Sequence, residues 1–149
     1  MNFLGKIIYL VGFPFILLII RNSNRVYGAI IFDNKLLVTK NFLGLQKDWR
    51  LPGGGLKKNE SKTAGLIREL QEEVGIDIKE EHCSLLISDK KHRKNFYYSI
   101  FVCHLKSIPS LKIDHKEILE AKFISINTLR HKQNIAEPLE MTLKRLMDD

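Results

Sequence analysis

Cysteine and internal repetition are both scarce in this sequence. Cys83 and Cys103 are the two cysteines among 149 residues, and they form no metal-ligand or redox motif. They fit buried free thiols in a reducing compartment, with a single disulfide as the open alternative. The chain has no internal repeat, no low-complexity tract and no regular βαβ alternation, so its strands and helices indicate a mixed sheet between helices.

Acidic residues are fewer than basic ones. The 17 Asp and Glu residues face 24 Lys and Arg residues, which gives a net charge of +7 with histidine neutral. This balance favours an anionic partner, such as a phosphate ester or an anionic membrane surface. The apolar content of 44% and the charged content of 28% are those of a globular protein, and the length suits about one domain.

Long hydrophobic runs are absent after residue 20, but one uncharged run occupies residues 7–20. A helix of this length is about 21 Å long, less than the roughly 30 Å of a hydrocarbon core. Including residues 3–6, with the Lys6 side chain extended to the surface, gives a marginal span. The run predicts an N-terminal hydrophobic helix that anchors at a membrane, lies at its interface or packs on the domain. A cleaved signal peptide is disfavoured because residues 21–26 offer no small-residue cleavage site.

The positive charges beside this run predict the side of the membrane on which the domain lies. Arg21, Arg25, Lys35 and Lys40 would keep the domain on the cytoplasmic side if the run spans. We therefore predict a hydrophobic segment and linker over residues 1–24 and a globular domain over 25–149. The expected location is the cytoplasm, at the inner face of the membrane.

Three consecutive glycines and the helix after them organise this domain. The glycines at residues 53–55 lead into a loop, and Ser61 is a suitable N-cap for a helix over residues 61–74. Gly75 follows the last turn, where a left-handed backbone is least costly for glycine. Apolar residues at helical spacing predict a buried stripe, made of Ala64, Leu66, Ile67, Leu70 and Val74.

The same helix carries a cluster of acidic residues. Glu69, Glu72 and Glu73 are related by helical spacings of three and four, so they share one face. Carboxylates that close repel one another and raise each other's pKa. A divalent cation would resolve this repulsion, and oxygen ligands suit Mg²⁺ or Mn²⁺. From the helix alone, a solvated acidic face is an equal alternative.

The spacing of these residues resembles the Nudix box, GX5EX7REUXEEXGU with U aliphatic. Gly54, Glu60 and the run RELQEEVGI at residues 68–76 match every fixed position. The preceding WRLPGG and the order of elements over about residues 25–147 are also similar to the family. The resemblance implies an α/β fold, the α/β/α Nudix sandwich with a mixed sheet. It also implies metal-dependent hydrolysis of a pyrophosphate bond in a nucleoside diphosphate derivative or a related phosphoanhydride.

The resemblance implies that the glutamates of the box bind Mg²⁺ or Mn²⁺. Glu72 and Glu73 match its principal metal ligands. Glu69 matches a carboxylate that binds metal or acts as the general base. Gly53 matches a glycine whose carbonyl oxygen can also bind the metal.

Other matching positions imply supporting roles. Arg68 matches the arginine that orients the glutamates, and Glu60 matches its partner or an outer metal ligand. Gly54 is the first position of the box. Family members often carry a further acidic residue before a later strand, as a metal ligand or base. Glu117 is the candidate for this position and Glu120 is the runner-up.

Functions of other classes stay open at this point. A domain that keeps the box for structure would bind a nucleotide or phosphate without catalysis, and chemistry on an isoprenyl diphosphate is a second enzymatic alternative. The complete set of box acids favours pyrophosphate hydrolysis. The expected partner is a phosphorylated small molecule such as a nucleotide, and capped RNA is the only nucleic acid considered. No substrate-binding residue is predicted, because specificity in this family lies in loops outside the box.

Two further features have both a structural and a functional interpretation. We interpret Trp49 as a packing residue, with a base-stacking platform as the alternative. We interpret the sequence KKHRK at residues 90–94 as a solvated hairpin tip. The alternative for this tip is a contact to phosphates or acidic lipid head groups.

Overall fold

The computed structural model describes residues 24–41, 48–91 and 96–148. Within these ranges the strands are β1 (Arg25–Phe32), β2 (Lys35–Asn41), β3 (Gly53–Gly55), β4 (Cys83–Lys91), β5 (Tyr97–His104) and β6 (Ile118–Ser125). The helices are α1 (Lys62–Val74), α2 (Ile126–Arg130) and α3 (Glu137–Asp148), with a 3₁₀ turn at Glu80–His82.

Strand β1 lies at the centre of a mixed sheet. The order is β4-β5-β1-β2-β6, and β3 also pairs with β1. The β1–β5 pair is parallel, whereas β1 pairs antiparallel with β2 and β3. The β1–β2 hairpin turns through Asp33 and Asn34, whose φ angles of 45° and 56° are those that a tight two-residue turn requires.

Alternate residues of β1 serve two separate hydrophobic layers, because side chains of a strand point to opposite faces of its sheet. Val26 and Ile30 pack with α1 in one layer, and Tyr27, Ala29 and Ile31 pack with α2 and α3 in the other. Helix α1 contributes Leu66, Leu70 and Val74, whereas α2 and α3 contribute Ile126, Leu129, Leu139 and Leu143. The sheet is therefore covered on both faces, which confirms the α/β/α sandwich.

One element was not anticipated from the sequence, and one local expectation is wrong. The glycines at 53–55, which lead into a loop as expected, themselves form strand β3, because their backbone pairs with Arg25, Val26 and Tyr27 of β1. Ala64 is exposed, whereas Gly65 of α1 is buried, where a Cβ would collide with the Leu56 side chain. The buried stripe of α1 is thus shifted by one residue at its N-terminal end.

The predicted N-terminal hydrophobic helix, in residues 1–24, lies outside the described residues except for Asn24. The basic tip is described only at Lys90 and Lys91, the last two residues of β4. Among the helices that the structure does describe, none has the length and apolar character needed to cross a membrane.

Candidate active site

The candidate site lies where β3 faces helix α1. The helix begins after Ser61, whose Oγ accepts a hydrogen bond from the backbone N–H of Ala64 at 3.1 Å. It ends at Gly75, which has a φ of 69° and whose N–H donates to the Leu70 carbonyl. Both predicted caps are therefore confirmed. They fix which side of α1 is turned towards the glycine strand.

Arg68 is the centre of a network of charge-assisted hydrogen bonds. Its Nε and Nη2 donate to the two carboxylate oxygens of Glu60, at 2.8 and 2.9 Å. Its Nη1 donates to Glu69 at 2.7 Å and to Glu72 at 3.1 Å. Nη2 also donates to the Gly55 carbonyl oxygen at 3.0 Å, so the guanidinium joins β3 to α1. Such bidentate pairs are stronger and more directional than neutral hydrogen bonds.

Glu60 is held in its ionised form by this network. Hydrogen bonding to Arg68 is the largest cause that lowers the pKa of the Glu60 carboxyl, from 4.5 to about 2. The backbone N–H of Lys57 also donates to it, at 2.8 Å. In return, hydrogen bonding to Glu60 raises the pKa of Arg68. The pair is thus a fixed support for the carboxylates beside it.

Glu73 is the most deeply buried acid of the site. Its side chain accepts a hydrogen bond from the Gly53 N–H at 2.8 Å, and the residue is only 5% exposed. The pKa of Glu73 is raised to about 8, chiefly by burial and also by the charges of Glu69 and Glu117. The Gly53 hydrogen bond and the charge of Arg50 oppose this rise.

Glu69 lies between the buried and the exposed parts of the cluster. Its side chain is 12% exposed, and burial is the main cause that raises its pKa. Hydrogen bonding to Arg68 lowers this pKa, whereas the charges of Glu72 and Glu117 raise it. A Cβ on Gly54 would lie 2.6 Å from a carboxylate oxygen of Glu69. The glycine therefore allows the carboxylate to approach β3.

The three acids of α1 are not equivalent, although their spacing predicts a shared face. Glu72 is 55% exposed and lies 3.8 Å from the Lys57 ammonium, whereas Glu73 turns inward to β3. In this arrangement no three His, Cys, Asp or Glu side chains in the described ranges are grouped closely enough to hold a metal ion. Arg68 and the Gly53 N–H donate hydrogen bonds to oxygens of these carboxylates.

Glu117, the predicted additional acid, faces the cluster from another part of the chain. Its charge raises the pKa of both Glu69 and Glu73, so it lies near both carboxylates. The preceding loop is tied to α1 because the Asp114 N–H donates to the Glu73 carbonyl at 3.0 Å. The runner-up Glu120, on β6, instead pairs with Lys122 at 2.6 Å and with Lys40 of β2 at 3.5 Å.

The chemistry of the donor set fits a hard divalent cation. All candidate ligands are oxygens, from Glu69, Glu72, Glu73 and the Gly53 carbonyl, and such ligands suit Mg²⁺ and Mn²⁺. Among the described residues, no basic side chain donates a hydrogen bond to Glu73, and its ionised form is stabilised by the Gly53 N–H and the charge of Arg50. A bound cation would lower its pKa and keep the carboxylate charged.

A cavity of about 460 Å³ opens beside the acidic cluster, with Gly53 in its wall. Its aromatic residues are Tyr27 and Phe96, and the guanidinium of Arg25 lies 4.8 Å from the Phe96 ring centroid. The charged residues that line it are Arg25, Asp48, Arg50 and Glu137. Sequence reasoning missed these residues as site residues. Arg50 alone had a local signal, because it lies in the WRLPGG segment.

Trp49 is buried in the core, and the sulfur atoms of the two cysteines lie close together. Trp49 is 6% exposed and belongs to the layer beneath α2 and α3, so the packing interpretation is confirmed. The Lys40 and Lys122 ammonium groups lie 4.2 and 4.7 Å from its ring centroid. Cys83 and Cys103 are free thiols with their sulfur atoms 3.4 Å apart, and only Cys103 is fully buried.

Comparison with protein families gives a match over most of the chain. The family model described as NUDIX domain matches residues 22–145. A solved MutT NUDIX hydrolase from Burkholderia pseudomallei superposes with a TM-score of 0.71 at 19% identity, over 83% of this chain and 97% of that one. At this identity the similarity shows the fold.

Curated relatives match over shorter stretches of the chain. An 8-oxo-dGTP diphosphatase from Buchnera aphidicola subsp. Schizaphis graminum is 46% identical over 61 residues, 38% of this chain and 45% of that protein. An RNA pyrophosphohydrolase from Saccharophagus degradans is 44% identical over 50 residues, 33% of this chain and 29% of that protein. The match thus spans less than half the length of these relatives.

Proposed function

The chain belongs to the NUDIX family, and we propose from this membership and the acidic cluster that it is a Mg²⁺- or Mn²⁺-dependent pyrophosphohydrolase. The observation that carries the proposal is Glu73, a buried carboxyl with a raised pKa beside Glu69, Glu117 and an open cavity. A buried acid without a cationic side-chain partner weakens a fold unless a ligand compensates for it. A divalent cation and a phosphate-containing substrate supply that compensation.

The metal would be held by Glu72, Glu73, Glu69 and the Gly53 carbonyl. When bound, the ion polarises phosphoryl oxygens and lowers the pKa of water. Arg68 keeps Glu69 and Glu72 in place through its hydrogen bonds, while Glu60 fixes Arg68. This division of roles explains why one arginine contacts three carboxylates.

Proton removal from the attacking water is assigned to Glu69 or Glu117. Both carboxyl groups lie at the cluster, and the pKa of Glu69 is raised by burial, which makes it a better proton acceptor than an exposed carboxylate. Glu117 reaches the cluster on a separate loop and contacts neither Arg68 nor Gly53 through a hydrogen bond among the described residues. It is thus free of the network that holds the other acids.

The substrate class is a nucleoside triphosphate or another nucleotide with a phosphoanhydride bond. The names of the relatives, 8-oxo-dGTP diphosphatase and RNA pyrophosphohydrolase, support this class. The cavity volume of about 460 Å³ lies within the range of small-molecule pockets. The 5′ end of RNA is the second candidate, because a net charge of +7 favours a polyanion.

A substrate panel tests the activity directly. Nucleoside triphosphates, nucleotide sugars, dinucleotides, an isoprenyl diphosphate and 5′-triphosphorylated or capped RNA are assayed with Mg²⁺, with Mn²⁺ and with a chelator. We expect metal-dependent release of pyrophosphate or phosphate from a nucleotide. The variants Glu72→Gln and Glu73→Gln should lower turnover about 100-fold or more, because they remove ligand charge and keep shape.

Glu81→Gln is the matched control, since Glu81 is exposed in the 3₁₀ turn and lies outside the cluster. A folded Glu73→Gln protein with unchanged turnover would support the alternative of a binding domain that keeps the box for structure. Preference for the isoprenyl diphosphate would move the proposal to that chemistry.

We also infer a cytoplasmic location at the inner face of a membrane. The inference depends on the apolar run at residues 7–20 and on the basic residues Arg21, Arg25, Lys35 and Lys40 that follow it.

A further inference from the structure

Arg50 is a charged residue in the cavity wall. Main-chain hydrogen bonds fix its backbone without involving its side chain. Its N–H donates to the Thr39 carbonyl at 3.0 Å, and its carbonyl accepts from the Thr39 N–H at 2.9 Å. These two bonds tie the WRLPGG segment to strand β2 through main-chain atoms only. The Arg50 side chain is therefore available for another role.

The Nε of Arg50 is buried and has no hydrogen-bond partner among the described residues. Buried donors are nearly always paired, and leaving a charged one unpaired is unfavourable. The same wall contains a second buried polar atom, Asn41 Oδ1, that has no hydrogen-bond partner in the described part of the chain. Thr39 is the partner of Arg50, and Asn41 is two residues further along β2, so the three side chains share one face.

The remaining charges of the cavity show what kind of ligand fits. Arg25 stacks on Phe96, and Glu137 accepts a hydrogen bond from the Tyr98 hydroxyl at 3.4 Å. Asp48 and Glu137 put acceptors in the wall, so the cavity carries both signs of charge. Inorganic phosphate offers mainly hydrogen-bond acceptors. A nucleotide offers both anionic oxygens and N–H or O–H donors.

We propose that the Arg50 guanidinium binds a phosphate oxygen of the nucleotide substrate, at the point where the phosphate chain passes from the acidic cluster into the cavity. This assignment rests on the proposed function and names one substrate-binding residue for it. Arg50 and Gly53 line the same cavity, and the Gly53 N–H is bonded to Glu73. This shared wall is the basis for placing the guanidinium on the nucleotide side of the cluster.

Geometry favours arginine over lysine in this position. A guanidinium presents several N–H donors in a fixed plane and binds phosphate with two parallel hydrogen bonds. Its charge also faces the acidic cluster, where Arg50 already opposes the rise in the pKa of Glu73. The same residue therefore reduces repulsion between the substrate phosphates and the carboxylates around them.

The test compares Arg50→Gln and Arg50→Lys with the control Arg145→Gln, which removes an equal charge from the exposed last turn of α3. Steady-state kinetics are measured on one triphosphate of each nucleobase. We expect Arg50→Gln to raise KM about 10-fold or more with kcat nearly unchanged, and by a similar factor for every base. The KM of Arg50→Lys should lie between those of the wild type and Arg50→Gln, and the KM of Arg145→Gln should equal that of the wild type.

Direct binding separates this proposal from the proposed function. Titration of a nucleoside monophosphate into the metal-free protein, followed by calorimetry, should show about 10-fold weaker binding for Arg50→Gln even if no substrate is hydrolysed. Unchanged KM and unchanged binding in a folded Arg50→Gln protein would overturn the assignment while leaving hydrolysis intact. A KM increase confined to one nucleobase would also overturn it, because Arg50 would then read the base. Thermal unfolding of each variant confirms that it is folded.

Discussion

At the scale of single residues, Glu73 differs most from an ordinary glutamate. It is on a helix that otherwise shows an exposed polar side, yet it is buried and bonded to a backbone N–H of another element. Its neighbour Glu72 is more than half exposed. Adjacent residues of a helix point about 100° apart, so one helix can present one acid to the solvent and the next to the sheet.

The raised pKa of Glu73 predicts a pH dependence of stability. Its pKa is about 8 in the fold and near 4.5 in the unfolded chain, so between these values the folded state binds the extra proton. The free energy of unfolding should therefore fall as the pH rises from about 4.5 to 8, by at most about 5 kcal/mol. Chemical denaturation with a chelator present, for the wild type and Glu73→Gln, measures this difference.

The Glu73→Gln variant should lack this component, so the difference between the two curves isolates Glu73. Mg²⁺ at millimolar concentration should reverse the loss in the wild type, because a cation stabilises the ionised carboxylate. If the free energies of unfolding of the two proteins differed by the same amount at every pH, the assignment of a buried, protonated Glu73 would be contradicted.

Glu117 and Glu120 form a matched pair for a second prediction. They are three positions apart, but only Glu117 acts on the pKa of Glu69 and Glu73, whereas Glu120 pairs with Lys40 and Lys122. Glu117→Gln should lower turnover by about 10- to 100-fold, the range of a general acid–base residue, and Glu120→Gln should leave it unchanged. Steady-state rates on the best substrate of the panel compare them. The reverse ranking would make Glu120 the site residue.

Spacing could predict which residues form the candidate site but not how each is oriented. The box placed Glu60, Arg68 and the three acids of α1 in one short stretch. The inward turn of Glu73 depends on the Gly53 N–H, 20 residues away, and no periodicity within α1 encodes that contact. Arg50 was missed for the same reason, because a cavity formed by several elements has no local signature.

At the scale of elements, the short strand β3 determines the geometry of the site. Glycine has a low preference for strands, so local propensity did not predict a strand at 53–55. The pairing with β1 overrides that preference, because it is set by contacts far apart in the chain. The caps of α1 were predicted from local patterns, since helix ends have strong local chemistry.

The glycines of β3 give a prediction with two distinct outcomes. Gly53 has a φ of 134°, and a Cβ there would collide with the Val26 carbonyl and lie 2.8 Å from the Tyr27 Cα, both of which are backbone atoms. Gly53→Ala should therefore destabilise the fold strongly, by about 2 kcal/mol or more. The three atoms nearest to a Cβ on Gly54 all belong to the Glu69 carboxylate, the far end of a flexible side chain, so Gly54→Ala should stay folded and lose turnover.

Thermal unfolding and steady-state rates on both variants decide this prediction. A Gly53→Ala protein that is as stable as the wild type would show that β3 can shift away from β1. A fully active Gly54→Ala protein would show that the close approach of Glu69 to β3 is not needed for turnover.

Pairing with neighbouring strands sets the ends of β4 and β6. Strand β6 begins at Ile118, and β4 continues to Lys91. In both cases pairing with a neighbouring strand extends the element, as Asn41 of β2 pairs with Ile118 and Tyr97 of β5 pairs with Lys91. The early start of β6 is relevant to the site, because it places Glu117 directly before the strand.

At the scale of the whole molecule, the acidic cluster contrasts with a basic chain. The net charge is +7, although five glutamates, Glu60, Glu69, Glu72, Glu73 and Glu117, are gathered around Arg68 and β3. The rest of the chain is therefore more basic than the total indicates. A polyanionic substrate is attracted by the basic surface and needs a cation only at the cluster.

The N-terminal run gives the last prediction, which concerns where the protein resides. Asn24 is the first described residue, and its carbonyl accepts from the Leu56 N–H at 2.9 Å, directly after β3. Arg25, the next residue, lines the cavity. Three residues, 21–23, separate Ile20 from Asn24, so the chain between them reaches at most about 14 Å. If residues 7–20 bind a membrane, the cavity is therefore held close to its surface.

We expect the full-length protein to partition to membranes and a version that begins at Asn22 to stay in the soluble fraction. The run has no charged residue, and burying its apolar surface in lipid is favourable. Phe13→Arg is the matched control, because a charge at the middle of the run costs about 3 kcal/mol in a bilayer and should release the protein. Cell fractionation of the three forms measures the partition. A full-length protein that is wholly soluble and monomeric would instead support a helix packed on the domain.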